Sequence, residues 1–156
     1  MLGLQIADIK DFTNKLFRQE VFDHFLVPEA AFITTFSIAI DGNSVSEEGK
    51  PVCSTWGQLR PLAFQIVKGQ TLPKGFKIVL RLSEENTNKT LASCGLSYAA
   101  EDVAGLFLNI HYENEEIRCT TGASLTVFSL DRSLEKEWDG VIRRFLRHHQ
   151  ILFEET

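Results

Sequence analysis

No stretch of the 156-residue chain approaches the ~18 consecutive apolar residues of a membrane span. The opening Met1-Leu-Gly-Leu-Gln-Ile6 lacks the basic start and apolar core of an export signal. No membrane partner is therefore expected, and the location expected is cytoplasmic. Cysteine is scarce: Cys53, Cys94 and Cys119 are an odd, widely spaced set without a Cys-x-x-Cys pair. That fits thiols kept reduced in a cytosol better than a disulfide frame. Excess positive charge is also missing. The formal net charge is −5, which argues against nucleic acid as a partner, since phosphate-backbone binding needs a positive surface.

Catalytic signatures are absent as well. There is no Gly-rich phosphate loop, no Gly-x-Ser-x-Gly elbow and no paired-carboxylate pattern. His148 and His149 are adjacent, so a helix would point them apart rather than as the i, i+4 pair that suits a metal. Catalytic residues are thus unassigned, and neither a metal nor a cofactor is expected. Internal repeats, low-complexity tracts and linkers long enough to divide domains are missing too. Residues 1–156 read as one globular domain, with 44% apolar residues and twelve Phe to fill its core.

Alternation and helical spacing then divide the chain. Leu2, Leu4 and Ile6 suit a first strand, and Asp8 caps a helix in which Ile9, Phe12, Leu16 and Phe17 share a face up to Arg18. Val21 to Val27 is apolar but too short to classify, and Pro28 stops it as a helix. Ala30 to Ile40 reads as one strand, ended by the turn signal Asp41-Gly42. Asn43 to Ser54 reads as a loop with room for a short return strand. Thr55 to Gly69 reads as the second helix, with Pro61 in its first turn, Gly69 after its end and Leu62, Ala63, Ile66 and Val67 as its buried stripe. After a turn at Leu72-Pro73-Lys74-Gly75, Phe76 to Leu82 alternates as a strand. Ser83 caps a short helix that ends near Cys94-Gly95, and Leu96 to Ala104 reads as irregular or as a weak strand.

The organising unit is last. Gly105 to Tyr112 and Ile117 to Ser129 form a hairpin across Glu113-Asn-Glu-Glu116, followed by a helix from Arg132 to His149. Leu106, Leu108, Ile110 and Tyr112 face Ile117, Cys119, Thr121, Ala123, Leu125 and Val127 on the core side. The other side carries Phe107, Asn109 and His111 against Arg118, Thr120, Gly122, Ser124 and Thr126. Such alternation fits a sheet covered on one face. Gly122 in mid-strand suggests a bulge or a close approach.

Two groups of residues could bind a ligand. His111, Arg118, Thr120, Ser124 and Thr126 lie on the polar side of the hairpin, where the plain alternative is a solvated face. Phe107 and Phe128 stand out as apolar there, which points to pairing of two subunits. Trp56 and Arg60, beside the 43–54 loop, could hold a small anionic ligand. The plain alternative is a core indole and a structural ion pair. The basic run Arg143 to His149 has no aromatic platform beside it and suits the negative end of a helix dipole.

Trp56-Gly-Gln-Leu-Arg-Pro61, Lys68-Gly69 and Phe76-Lys-Ile-Val79 resemble a small bacterial family of unknown function, as do Asp8-Ile-Lys-Asp-Phe12 and Phe32-Ile-Thr-Thr-Phe36. The resemblance implies a bacterial, cytoplasmic, single-domain protein and supplies no activity. The fold expected is α+β, an antiparallel sheet of about five strands with helices mainly on one face. The leading functional expectation is a non-enzymatic interaction domain acting through its sheet surface as a homodimer. The alternative is a small-molecule-binding protein or enzyme with a pocket between the 43–54 loop, Trp56, Arg60 and the sheet.

Overall fold

Alternating apolar residues build the long strands of this chain, and the fold is α+β. The computed structural model describes residues 1–69, 73–95 and 98–156. In chain order its elements are β1 (Gly3–Ile6), α1 (Ile9–Arg18), β2 (Leu26–Ile33), β3 (Ser37–Asp41), β4 (Asn43–Val45), β5 (Pro51–Cys53), α2 (Trp56–Val67), β6 (Gly75–Arg81), α3 (Glu84–Ser93), β7 (Val103–Glu113), β8 (Glu116–Leu125), α4 (Ser133–His148) and β9 (Phe153–Glu155). Seven strands form one antiparallel sheet in the order β3-β2-β6-β7-β8-β1-β9, and β4 with β5 forms a separate hairpin. No described helix is long and apolar enough to cross a membrane.

The expected hairpin is the longest pairing in the sheet. Asn114 and Glu115 have φ of 52° and 61°, the two positive values a type I′ turn needs, and they join β7 to β8 in the tightest available loop. That turn fixes which side chains share a face. Leu106, Leu108, Ile110, Ile117, Cys119 and Thr121 are all at most 1% exposed. Three helices cover this inner face. Phe17 of α1 meets Phe76 edge-on at 5.3 Å and lies 5.9 Å from Trp56 of α2, and Trp138 of α4 donates its indole N–H to the Phe107 carbonyl at 2.9 Å. α3 adds Leu91 to the same core.

Local chemistry places the helix starts as expected. Asp8, Thr55 and Ser83 each accept a backbone N–H from the first turn, and Thr55 with Gln58 completes a capping box. Gly95, with φ of 65°, follows the end of α3.

Several expectations are corrected. The main sheet has seven strands rather than about five, because Ala30 to Ile40 divides between two strands and Phe153–Glu155 adds another beside β1. The chain reverses at Thr34–Phe36, where the Thr34 N–H donates to the Phe36 carbonyl at 2.8 Å, and Phe36 is 63% exposed instead of sharing a core face with Phe32. Asp41-Gly42 does not close a hairpin; it carries β3 into β4. A Cβ at Gly42 would lie 1.8 Å from the Val27 carbonyl oxygen, so only glycine permits this backbone approach. Asn43 to Ser54 is mostly the β4–β5 hairpin rather than a loop.

Pro61 lies in the second turn of α2, where the missing N–H leaves the Gly57 carbonyl without its helical donor. Of that helix's expected stripe, Ala63 is buried, Ile66 and Val67 are half-buried, and Leu62 is exposed. β8 stops at Leu125, so Val127 lies outside the core. The register shift in β7–β8 falls between Val103 and Gly105, not at Gly122. The expected turn at 72–75 and the irregular segment from Leu96 both begin outside the described residues.

Two stability predictions follow from these details. The buried Thr121 hydroxyl accepts the Leu2 N–H at 2.8 Å and donates to the Asp139 carboxylate. Thr121→Val leaves the buried Leu2 N–H without an acceptor and removes the hydroxyl donor to Asp139, and should lower stability by about 1–3 kcal/mol in urea unfolding. Glu115→Gly relieves a left-handed residue in the hairpin turn and should raise stability by about 1 kcal/mol in the same assay.

Candidate functional site

Residue parity along the strands defines a second, open sheet face. Cross-strand register lines up Ala39, Ala31, Lys77, His111, Arg118 and Gln5 in one row across six strands. The adjoining row runs Asp41, Glu29, Val79, Asn109, Thr120 and Gly3. Every side chain in these two rows is half-buried or exposed, while their inward neighbours on β6, β7 and β8 are buried. The structure therefore brings His111, Arg118 and Thr120 together, as the alternation predicts.

Lys77, His111 and Arg118 are directly opposed across the three strands, and each has a carboxylate nearby. Glu29 lies 3.8 Å from Lys77, Glu113 lies 3.6 Å from His111, and Glu116 lies 3.2 Å from Arg118. The Asn109 amide reaches the Thr120 hydroxyl at 3.4 Å. A shallow hollow of about 150 Å³ sits between His111, Asn114 and Arg118. Ser124 shares the open face, whereas Thr126 lies past the strand and donates to the Glu101 carbonyl at 3.0 Å. Phe128 also lies past β8, 90% exposed, so Phe107 alone represents the aromatic outliers on the face.

Trp56 and Arg60 lie elsewhere. Trp56 is fully buried and donates its indole N–H to the Leu16 carbonyl at 2.8 Å. Arg60 forms a two-pronged ion pair with Asp23, at 2.8 and 3.0 Å. That bond to Asp23 is the main cause of a raised guanidinium pKa. The pair ties α2 to the segment before β2, where the Gly57 N–H also donates to the Asp23 carbonyl. Neither residue shares a surface with His111 or Arg118. The 43–54 segment does border a cleft of about 550 Å³, but its wall carries Arg81 where the sequence suggested Arg60, and Trp56 does not line it. The sequence signal that could have found Arg81 is a cation on the polar side of β6 at the strand's end.

The thiols are unpaired. Burial pushes Cys119 up to about 12, and partial burial raises Cys53 despite Arg81 nearby, so neither is poised as a thiolate. Among the described residues, no group of three or more His, Cys, Asp and Glu side chains is placed to hold a metal ion. In the basic C-terminal run, Arg143 pairs with Glu155 at 2.7 Å and Arg147 lies over the Phe153 ring, so both serve the β9 end of the fold.

The model of the family described as a family of unknown function, DUF5721, matches residues 15–154, and the chain belongs to that family. Comparison with curated proteins and with solved structures finds no match.

His149 supplies a pH prediction. Partial burial, then His148 and Lys15, depress its pKa below 6.5, and its ring lies 4.6 Å from that of Phe145. Depression means the neutral form is favoured in the fold. Its contribution is present above the unfolded value and is lost as pH falls through the folded one. Urea midpoints for the wild type should drop more between pH 7.5 and 5 than those of His149→Gln; parallel profiles would contradict the assignment.

Proposed function

We propose that this member of the family is a binding domain that acts through the open face of its sheet, with a second copy of itself as partner. One observation carries the reading: α1, α2 and α4 all pack on the inner face, leaving the two rows through His111 and Thr120 on the other side of the sheet without a covering element. Antiparallel sheets tolerate one wet face, but a face this wide is a large surface to leave without a role. Seven strands at ~4.8 Å spacing, paired over a length of roughly five residues, cover on the order of 600 Å². That approaches the ~800 Å² per partner of a stable interface.

The chemistry of the face also suits self-association. Gly3, Gly122, Ala31 and Ala39 keep it flat, and Val79 and Phe107 give it an apolar centre. Charges of both signs are present, with Glu29 and Asp41 on β2–β3 and Arg118 on β8. A two-fold axis running along the strands between β6 and β7 lays β2 of one copy over β8 of the other. Arg118 of each then approaches Glu29 of its mate. Such an isologous contact closes after two copies. Three unpaired thiols support residence in a reducing, cytoplasmic compartment.

Light scattering at about 10 µM, where a micromolar dimer is populated, should give twice the 17.6 kDa of one chain. Val79→Arg should give a monomer with unchanged circular dichroism. Arg118→Glu should weaken the dimer, and adding Glu29→Lys should restore it. A monomeric wild type, or a dimer that ignores Val79→Arg, would sink the proposal.

A further inference from the structure

We infer that the cleft between the β4–β5 hairpin, the end of the sheet and α3 is a binding site for a small organic carboxylate, held by Arg81. Three arginines of this chain are half-buried: Arg60, Arg81 and Arg143. Arg60 is paired with Asp23 and Arg143 with Glu155. Arg81 makes no ion pair and no side-chain hydrogen bond among the described residues. Partly desolvating a guanidinium without a counter-charge is costly, and the missing partner is an anion. Glu84, the one carboxylate on the cleft wall, is exposed and does not pair with Arg81.

The surroundings are built to keep Arg81 in place and unspent. Arg81 is the last residue of β6, opposite Phe107. A Cβ at Gly105 would meet the Phe107 ring at 2.7 Å and the Arg81 Cδ at 3.1 Å. The glycine thus clears the path along which the Arg81 stem lies beside the aromatic ring. The cleft, at about 550 Å³, falls within the range of small-molecule sites.

Its other polar groups divide into used and free. The Thr87 hydroxyl is committed to the Ser83 carbonyl at 2.8 Å, and the Cys53 thiol donates to the Ser54 carbonyl at 3.6 Å. The Asn88 amide has no side-chain partner among the described residues, so it remains as a second donor. Leu26, Val52 and Val103 give the remaining wall its apolar part, beside Asn43. A planar fork together with the aliphatic side chains of Leu26, Val52 and Val103 suits a carboxylate carrying an apolar body. With Cys53 held as the thiol, the arrangement is one for binding rather than for covalent chemistry.

Amide NMR titration of the full chain with benzoate tests the site. Benzoate should give saturable shifts at Asn43, Cys53, Asn88 and Gly105, and its neutral isostere benzamide should give none. Arg81→Gln should weaken benzoate at least about tenfold, the loss expected of a charge-assisted pair, while retaining a folded spectrum. Arg81→Lys should lose less, and exposed Arg144→Gln should lose nothing. Benzoate shifts that do not saturate, that persist in Arg81→Gln, or that are matched by benzamide would overturn the assignment. So would saturable binding of inorganic phosphate without binding of benzoate, which would leave the apolar wall without a role. The readout is local to the cleft, so it is separate from whether the chain dimerises.

Discussion

The register of the β7–β8 hairpin is the constraint on which the rest of the structure depends. Two left-handed residues, Asn114 and Glu115, close it and thereby decide that Leu106, Leu108 and Ile110 point inward and His111 outward. A slip of one residue would send every one of these side chains to the opposite face. β6 and β1 are aligned on this hairpin, and β2 and β9 on them, so the parity passes across the sheet to all seven strands. The helices then have only one greasy surface to cover. The open face is the other side of the same decision.

Polar groups inside the core follow from how the helices dock. Among the described residues, no buried side-chain nitrogen or oxygen lacks a hydrogen-bond partner. The Trp56 and Trp138 indoles each reach a backbone carbonyl, and Thr121 links the chain's start to α4. An unpaired polar atom in such a place would cost about 1–3 kcal/mol. Arg60 with Asp23 belongs to the same accounting at the edge of the core. Against this background a half-buried guanidinium without a carboxylate is conspicuous, and Arg81 is that exception.

Elements carried by periodicity and capping chemistry were legible in the sequence. α1, the start of α3, β6 and the central hairpin fall where alternation, Asp8, Ser83 and the Glu113–Glu116 turn put them. Elements fixed by tertiary contact were not. Thr34-Thr35-Phe36 are strand-forming residues by composition, so nothing local announced that the chain reverses there. β9 is only three residues long and exists through its pairing with β1, which sequence periodicity cannot register. Asp41-Gly42 looked like a turn because glycine is there, yet the glycine serves a close backbone approach to Val27.

The site was legible in part for the same reason. His111, Arg118 and Thr120 share a face because strand parity is local information. Trp56 and Arg60 were attractive by residue type, and their partners, the Leu16 carbonyl and Asp23, are some forty residues away in sequence. Arg81 entered the cleft only because the β4–β5 hairpin folds over the sheet end, a non-local event.

The central claim is that the bare face, rather than any helix surface, is where this protein meets its partner. Isotope-filtered NOE spectroscopy on an equimolar mixture of 13C-labelled and unlabelled chains tests it most directly. The account predicts intermolecular NOEs at the methyls of Val79, Ala31 and Thr120 and at Ala39. Intermolecular NOEs confined to the helices, or none in a concentrated sample, would contradict it.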